Sequence, residues 1–211
     1  MIGFGLVGFS PERSSKMATA QIPGYRYGDP TLPRAPYTLQ DLDLLKQALL
    51  FTEEDAQALR RAGQILEPYV EEILDVWYGF VGSHDFLIRY FADERGPNSE
   101  YLARVRTRFG QWILDTCRAE YDQAWLDYQY EIARRHFDRK NQTDGVSGAP
   151  PIVHFRYVNA LVYPIYATIR PFLERGESDP GKVEQMHQAW LKAVLLQATL
   201  WSYPYLKEGA F

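Results

Sequence analysis

The chain has 211 residues, 46% of them apolar and 15% aromatic, enough to bury one substantial core and too few for two ordinary enzyme domains. A formal charge of −4 leaves no excess of cations to neutralise phosphates, so nucleic acid and anionic membrane surfaces are not expected partners. The lone cysteine, Cys117, excludes an intramolecular disulfide and every Cys-x-x-Cys site, and fits a reducing compartment.

The first residues, Met1 to Phe9, are apolar, and Ala18-Thr19-Ala20 imitates a signal-peptidase site. No basic residue precedes the apolar stretch, and Glu12, Arg13 and Lys16 intervene, so a cytoplasmic protein is expected, with residues 1–21 a flexible extension and Met17 an alternative start. Gly3-Phe4-Gly5-Leu6-Val7-Gly8 spells a dinucleotide fingerprint. That loop works only between a strand and a helix whose amides face a pyrophosphate, and neither context exists here.

Residues Ile22 to Pro36, rich in Gly, Pro and Tyr, read as an arm. Thr38 caps a short helix to about Ala48, and Thr52 followed by Glu53, Glu54 and Asp55 starts a second, with acids at its positive end. Pro68 suits the first turn of a third, whose apolar side is Val70, Ile73, Leu74, Trp77, Tyr78 and Val81. A short segment spans Asp85 to Phe91. Asn98 then caps a helix presenting Leu102, Val105, Phe109, Trp112, Ile113 and Thr116. The next helix, from about Tyr121 to Arg139, turns Trp125, Tyr128, Ile132 and His136 inward. After a polar loop, Pro150 and Pro151 are expected to open a helix to about Leu173 that Pro164 interrupts, and Glu177 to about Tyr205 forms the last. No stretch alternates with period two, so the fold class is all-α.

Among candidate chemistries, a carboxylate-bridged di-iron bundle needs two Glu-x-x-His pairs, and only Glu184 with His187 occurs. No Gly-x-Ser-x-Gly elbow is present, and Cys117 has no recognisable base near it. Of the four histidines, His84 lies in a turn, and His154 and His187 sit on helices that pack against others. His136 ends an amphipathic helix toward which Trp77, Tyr78 and Phe109 also point. A neutral imidazole there serves equally as an axial ligand for haem iron or as a packed, hydrogen-bonded histidine; the residues alone leave both open.

The strings Trp77-Tyr78-Gly79-Phe80-Val81-Gly82-Ser83-His84, Gln111 to Cys117, Tyr121 to Ile132, Arg135-His136, Lys140 to Asp144, Tyr163-Pro164-Ile165 and Trp201-Ser202-Tyr203-Pro204-Tyr205 closely resemble the protoglobins, as does Ile22-Pro23-Gly24-Tyr25 in the arm. The resemblance covers residues 22–211. It implies a globin fold, a three-over-three helical sandwich, with an extra N-terminal helix and arm, and haem b enclosed by loops and held without thioether bonds. His136 then looks like the proximal iron ligand. Trp77, Tyr78 and Phe109 look like the distal wall, with Val105 where many other globins have a distal histidine. Ile132, Val158, Leu161 and Ile165 complete the expected haem contacts. The family often has phenylalanine where Leu161 stands, and the loop after His136 is one residue shorter here.

The resemblance further implies a homodimer through the last two long helices, with Trp190, Leu191, Val194, Leu195 and Trp201 as the apolar contact. The expected function is reversible binding of O2, CO or NO at pentacoordinate haem iron, for sensing, storage or detoxification. The alternative is a haem enzyme acting on peroxide or reactive nitrogen species, with promiscuous carbene transfer. A sensory module working through a separate output partner is the third reading.

Overall fold

Thr38 begins the helical part of the chain: its hydroxyl accepts from the Asp41 amide at 3.2 Å while the Asp41 carboxylate accepts from the Thr38 amide at 2.8 Å, a reciprocal cap that satisfies two otherwise orphaned donors. A computed structural model describes residues 22–207 and 209–211. The expected N-terminal extension and the glycine fingerprint lie outside the described residues. Among the described residues there are nine α-helices: α1 Leu39–Ala48, α2 Glu53–Leu66, α3 Val70–Gly82, α4 Asp85–Ile88, α5 Ser99–Arg118, α6 Gln123–His136, α7 Phe155–Ala160, α8 Val162–Gly176 and α9 Pro180–Trp201. A two-residue antiparallel pair, β1 Ala92–Asp93 with β2 Gly96–Pro97, closes the turn before α5. Asn98, Asp122 and Asp179 accept from first-turn amides of α5, α6 and α9, as short polar side chains at helix starts do.

The core is built on α9. Trp190, Ala193 and Val194 are buried against Leu59, Ala62 and Leu66 of α2, Ile113 of α5, and Ile169 and Leu173 of α8. Helix α2 meets α5 where Gly63 faces Cys117; a Cβ on Gly63 would lie 2.8 Å from the Cys117 Cβ, so only glycine permits this approach. Burial pushes the Cys117 thiol up to about 12. Several buried polar groups of the core pair with one another, as burial away from water favours: Gln197 accepts from Trp112 Nε1 at 2.7 Å and donates to Thr116 Oγ1 at 3.1 Å, and Gln129 accepts from Trp201 Nε1 at 2.9 Å.

Several expectations shift. Pro150 and Pro151 do not start a helix. Residues 150–154 run without helix because the Val153 amide donates to His136 O at 2.8 Å, and α7 starts only at Phe155. The break in the following segment is at Leu161, between α7 and α8; Pro164 sits inside the first turn of α8, where no intrahelical amide bond is lost. Helix α6 ends at His136 rather than near Arg139, because the Phe137 backbone leaves the helical region at φ −114°, ψ −105°. The last helix starts at Pro180 behind the Asp179 cap and ends at Trp201.

Of the residues expected at a dimer contact, three lie inside the chain. Trp190, Val194 and Trp201 are buried within a single chain, leaving Leu191 and Leu195 as the partly accessible members of the set. No described helix is long and apolar enough to cross a membrane.

Candidate functional site

The faces of α3, α5, α6, α7 and α8, with the end of α9, line one cavity of about 240 Å³. Trp77 and Tyr78 come from α3, Val105 and Phe109 from α5, Ile132 and His136 from α6, Val158 from α7, Leu161 from the α7–α8 junction and Ile165 from α8. Every residue expected at the site thus reaches one space. Val105 and Phe109, like Ile132 and His136, are four apart, the spacing that keeps side chains on one side of a helix. The other histidines stand elsewhere. His84 precedes α4 with Nδ1 2.8 Å from Phe80 O. His187 stacks on Tyr166 with ring centres 3.8 Å apart, while Glu184 pairs with Arg170 at 2.6 Å, and among the described residues no cluster of metal-ligating side chains forms around them.

The His136 ring is held on two sides. Nδ1 donates to Ile132 O, one helical turn back, at 2.9 Å, and the ring stacks on Trp201 with centres 5.3 Å apart and planes 23° from parallel. That hydrogen bond places the ring proton on Nδ1 and leaves Nε2 with a bare lone pair. Burial holds the imidazole below its ordinary pKa, reinforced by the Lys140 and Arg135 charges and opposed by the Ile132 bond. The ring is therefore neutral, the form that ligates a metal. Its backbone is fixed as well: the Tyr205 hydroxyl lies 2.9 Å from His136 O and 2.7 Å from Val153 O, sharing its hydrogen between them.

Trp77, Tyr78 and Phe109 line the same cavity, with the Phe109 ring centre 5.6 Å from Trp77 and 6.3 Å from Tyr78 in edge-to-face contacts. Burial raises the Tyr78 phenol pKa above its ordinary value, so it remains a donor. Among the described residues no protein group bonds the Tyr78 hydroxyl.

Sequence reasoning missed the polar edge of the same cavity. Arg108 pairs with Asp144 at 2.5 Å, Arg135 with Glu131 at 3.1 Å, and Lys140 donates to Tyr90 O at 2.9 Å. Burial pushes Lys140 down to about 8. Arg135 Nη2 is buried and has no partner, although an orphaned cationic donor is costly. Arg135 immediately precedes His136, and Arg108 lies three residues beyond Val105. Those offsets were the available signal, but arginines on amphipathic helices ordinarily read as solvated.

A family model described as Protoglobin matches residues 38–210. The chain belongs to the protoglobin family. Its fold is a globin fold: the globin domain of the Geobacter sulfurreducens globin-coupled sensor superposes with a TM-score of 0.61 at 17% identity, over 78% of this chain and 97% of that one. No curated protein matches. Membership implies a haem-binding protein, and the protoglobin cavity fits that group. A haem has a flat apolar body and two carboxylates; this site has aromatic walls, a bare imidazole nitrogen and the orphaned Arg135 donor at an edge that also carries Arg108 and Lys140.

Proposed function

We propose that this protoglobin is a haem b protein that binds O2, CO or NO reversibly, with His136 as the proximal ligand and Trp77, Tyr78, Val105 and Phe109 around the gas. The observation that carries the reading is the His136 Nδ1 bond to Ile132 O at 2.9 Å, which turns a cavity-lining histidine into a one-sided nitrogen ligand of fixed orientation. Haem b with one axial position open supplies reversible coordination of small gases. The chain's residues do the rest. Trp201 keeps the imidazole from swivelling. Ile132, Val158, Leu161 and Ile165 line the slot with apolar surface that favours a flat macrocycle over water. Arg135, Arg108 and Lys140 are the groups placed to meet its carboxylates, since charge-assisted bonds to a carboxylate are the strong ones. Val105 can donate no hydrogen bond, so Tyr78, or Trp77 through its indole N–H, is the donor for a ligand that gains negative charge on binding.

A cytoplasmic homodimer is part of the same reading, with Leu191 and Leu195 of α9 as its apolar contact. Absorption spectra of the purified protein in ferric, ferrous and CO-bound states test the haem assignment. His136→Gly is expected to lose haem or its five-coordinate ferrous spectrum and to regain it with free imidazole, whereas His84→Ala, His154→Ala and His187→Ala keep both. Haem retention and spectra unchanged in His136→Gly without imidazole would remove the assignment.

A further inference from the structure

Five tyrosines line the cavity: Tyr78, Tyr90, Tyr101, Tyr128 and Tyr157. Among the described residues Tyr90 alone of these has its hydroxyl on a base. Its Oη lies 2.7 Å from His154 Nδ1, and with the ring proton on Nε2, Nδ1 accepts the phenol O–H. The two partners differ in environment. Tyr90 is 5% exposed, whereas His154, at the start of α7, is exposed to solvent. The pair therefore runs from the cavity wall to the surface.

That arrangement matters for one-electron chemistry. A phenol that loses an electron becomes so strong an acid that its proton must leave with it, and a hydrogen-bonded imidazole is the side chain suited to take a proton near neutral pH and return it. The Lys140 ammonium, 6.0 Å from the Tyr90 ring centre, disfavours a positively charged ring and so favours the neutral phenoxyl. From Tyr90 the aromatic contacts continue outward. Its ring centre is 6.1 Å from Tyr157, which lies 5.5 Å from Phe86, 46% exposed.

From this geometry we infer that Tyr90 and His154 form a proton-coupled electron relay, through which the haem protein reduces a peroxide at the expense of small phenolic donors docking at the surface beside His154 and Phe86. The inference rests on the reading that the cavity holds haem b on His136. Hydrogen peroxide takes two electrons and two protons and leaves as two water molecules. Tyr90 gives up the two electrons one at a time toward the cavity, where bound haem would supply the reduction of peroxide; at each step the Tyr90 hydroxyl proton passes to His154 Nδ1. A phenolic donor then returns one electron through the aromatic contacts and releases its own proton, and His154 hands the hydroxyl proton back to Tyr90. The net reaction is one peroxide and two phenols to two waters and two phenoxyl radicals, and the protein ends as it began.

The test uses the haem-loaded protein, with the ferrous-CO spectrum of each variant recorded first as proof of haem and fold. After rapid mixing with hydrogen peroxide and freeze-quenching, electron paramagnetic resonance is expected to show a tyrosyl radical with the g-anisotropy of a hydrogen-bonded phenoxyl. Tyr90→Phe should lose that signal and oxidise guaiacol several-fold more slowly. His154→Leu should keep a radical, formed more slowly and with its largest g-value raised, because the phenoxyl oxygen has lost its hydrogen bond. A hydrogen bond that only tethered α7 to the segment before β1 would leave the rate of radical formation unchanged, so the slower formation in His154→Leu is what marks proton transfer. A haem-loaded wild type that gives no tyrosyl radical, or Tyr90→Phe giving the same one, would overturn the relay. A wild type that binds no haem would instead fail at its absorption spectrum and strike the haem reading itself.

Discussion

Tyr78 is the residue for which free surroundings carry the most consequence. Its hydroxyl is bonded by no described protein group, and burial keeps it protonated, so its donor is uncommitted and faces the cavity wall from α3. A net hydrogen bond is worth about 1 kcal/mol, or roughly a fivefold change in an equilibrium, and more when the acceptor carries charge. Tyr78→Phe is therefore expected to speed O2 dissociation several-fold while changing CO dissociation much less, because CO draws less charge. Stopped-flow release of both gases from the two proteins decides it; equal O2 rates would transfer the role to Trp77. The apolar site residues were legible in the sequence because helical spacing marks a face whatever lies behind it. The charged ones were not. Arg108, Arg135, Lys140 and Asp144 follow the same rules as solvated charges until the fold closes over them, and of these Arg135 Nη2 is the donor left buried without a partner.

At the scale of helices, caps and apolar stripes located the elements, and contacts distant in sequence moved their ends. Thr38 and Asn98 start helices where local chemistry places them. The segment after Pro150 departs from its helical signal because Val153 is hydrogen-bonded across to His136 and Tyr205, partners that no local window contains. The α2–α5 crossing illustrates the energetic side. Alanine is the better helix former by about 1 kcal/mol, but a Cβ at Gly63 meets the Cys117 Cβ at 2.8 Å, and neither atom can rotate away. Overpacking of this kind costs roughly 1–3 kcal/mol, so Gly63→Ala is expected to lower the urea midpoint, and Cys117→Gly in the same chain to recover part of the loss relative to the sum of the single changes. On α9, burial holds His187 below its ordinary pKa of 6.5, with the Tyr166 carbonyl opposing and Arg170 adding to the shift. Below about 6.5 the unfolded chain binds a proton that the folded one refuses, so stability is complete above that pH and falls as pH drops through it. Urea midpoints at pH 7.5 and 5.5 should therefore separate less in His187→Gln than in the wild type. An equal separation would show that His187 is not responsible.

For the molecule as a whole, the arm and the loop after α6 close on the cavity through one arginine. Arg108 donates to Pro23 O at 2.9 Å and to Asp144 at 3.0 and 2.5 Å, while Gly24, at φ +75°, lies so close that a Cβ would sit 2.8 Å from the guanidinium. The neighbouring Tyr25 is bonded to Asp115 at 2.7 Å and packs edge-on against Tyr128 of the cavity wall at 5.3 Å. Removing Arg108 or Asp144 alone would leave a buried charge unpaired, costing about 3–5 kcal/mol, and would confuse closure with stability. Tyr25→Phe separates the two. Asp115 keeps the bonds that Gln111 and Arg118 give its Oδ1, so its charge stays paired although Oδ2 loses its partner, and the ring contact with Tyr128 survives. What is lost is one bond to a charged acceptor, worth about 1.5–3 kcal/mol, which favours opening of the arm by roughly tenfold or more. If the arm holds the haem in, Tyr25→Phe should release haem to an excess of acceptor apoprotein at least several-fold faster than the wild type. Its ferrous-CO spectrum should be unchanged, because His136, Trp77, Tyr78 and Phe109 are untouched. An unaltered haem-release rate would mean that the arm packs on the globin without closing it.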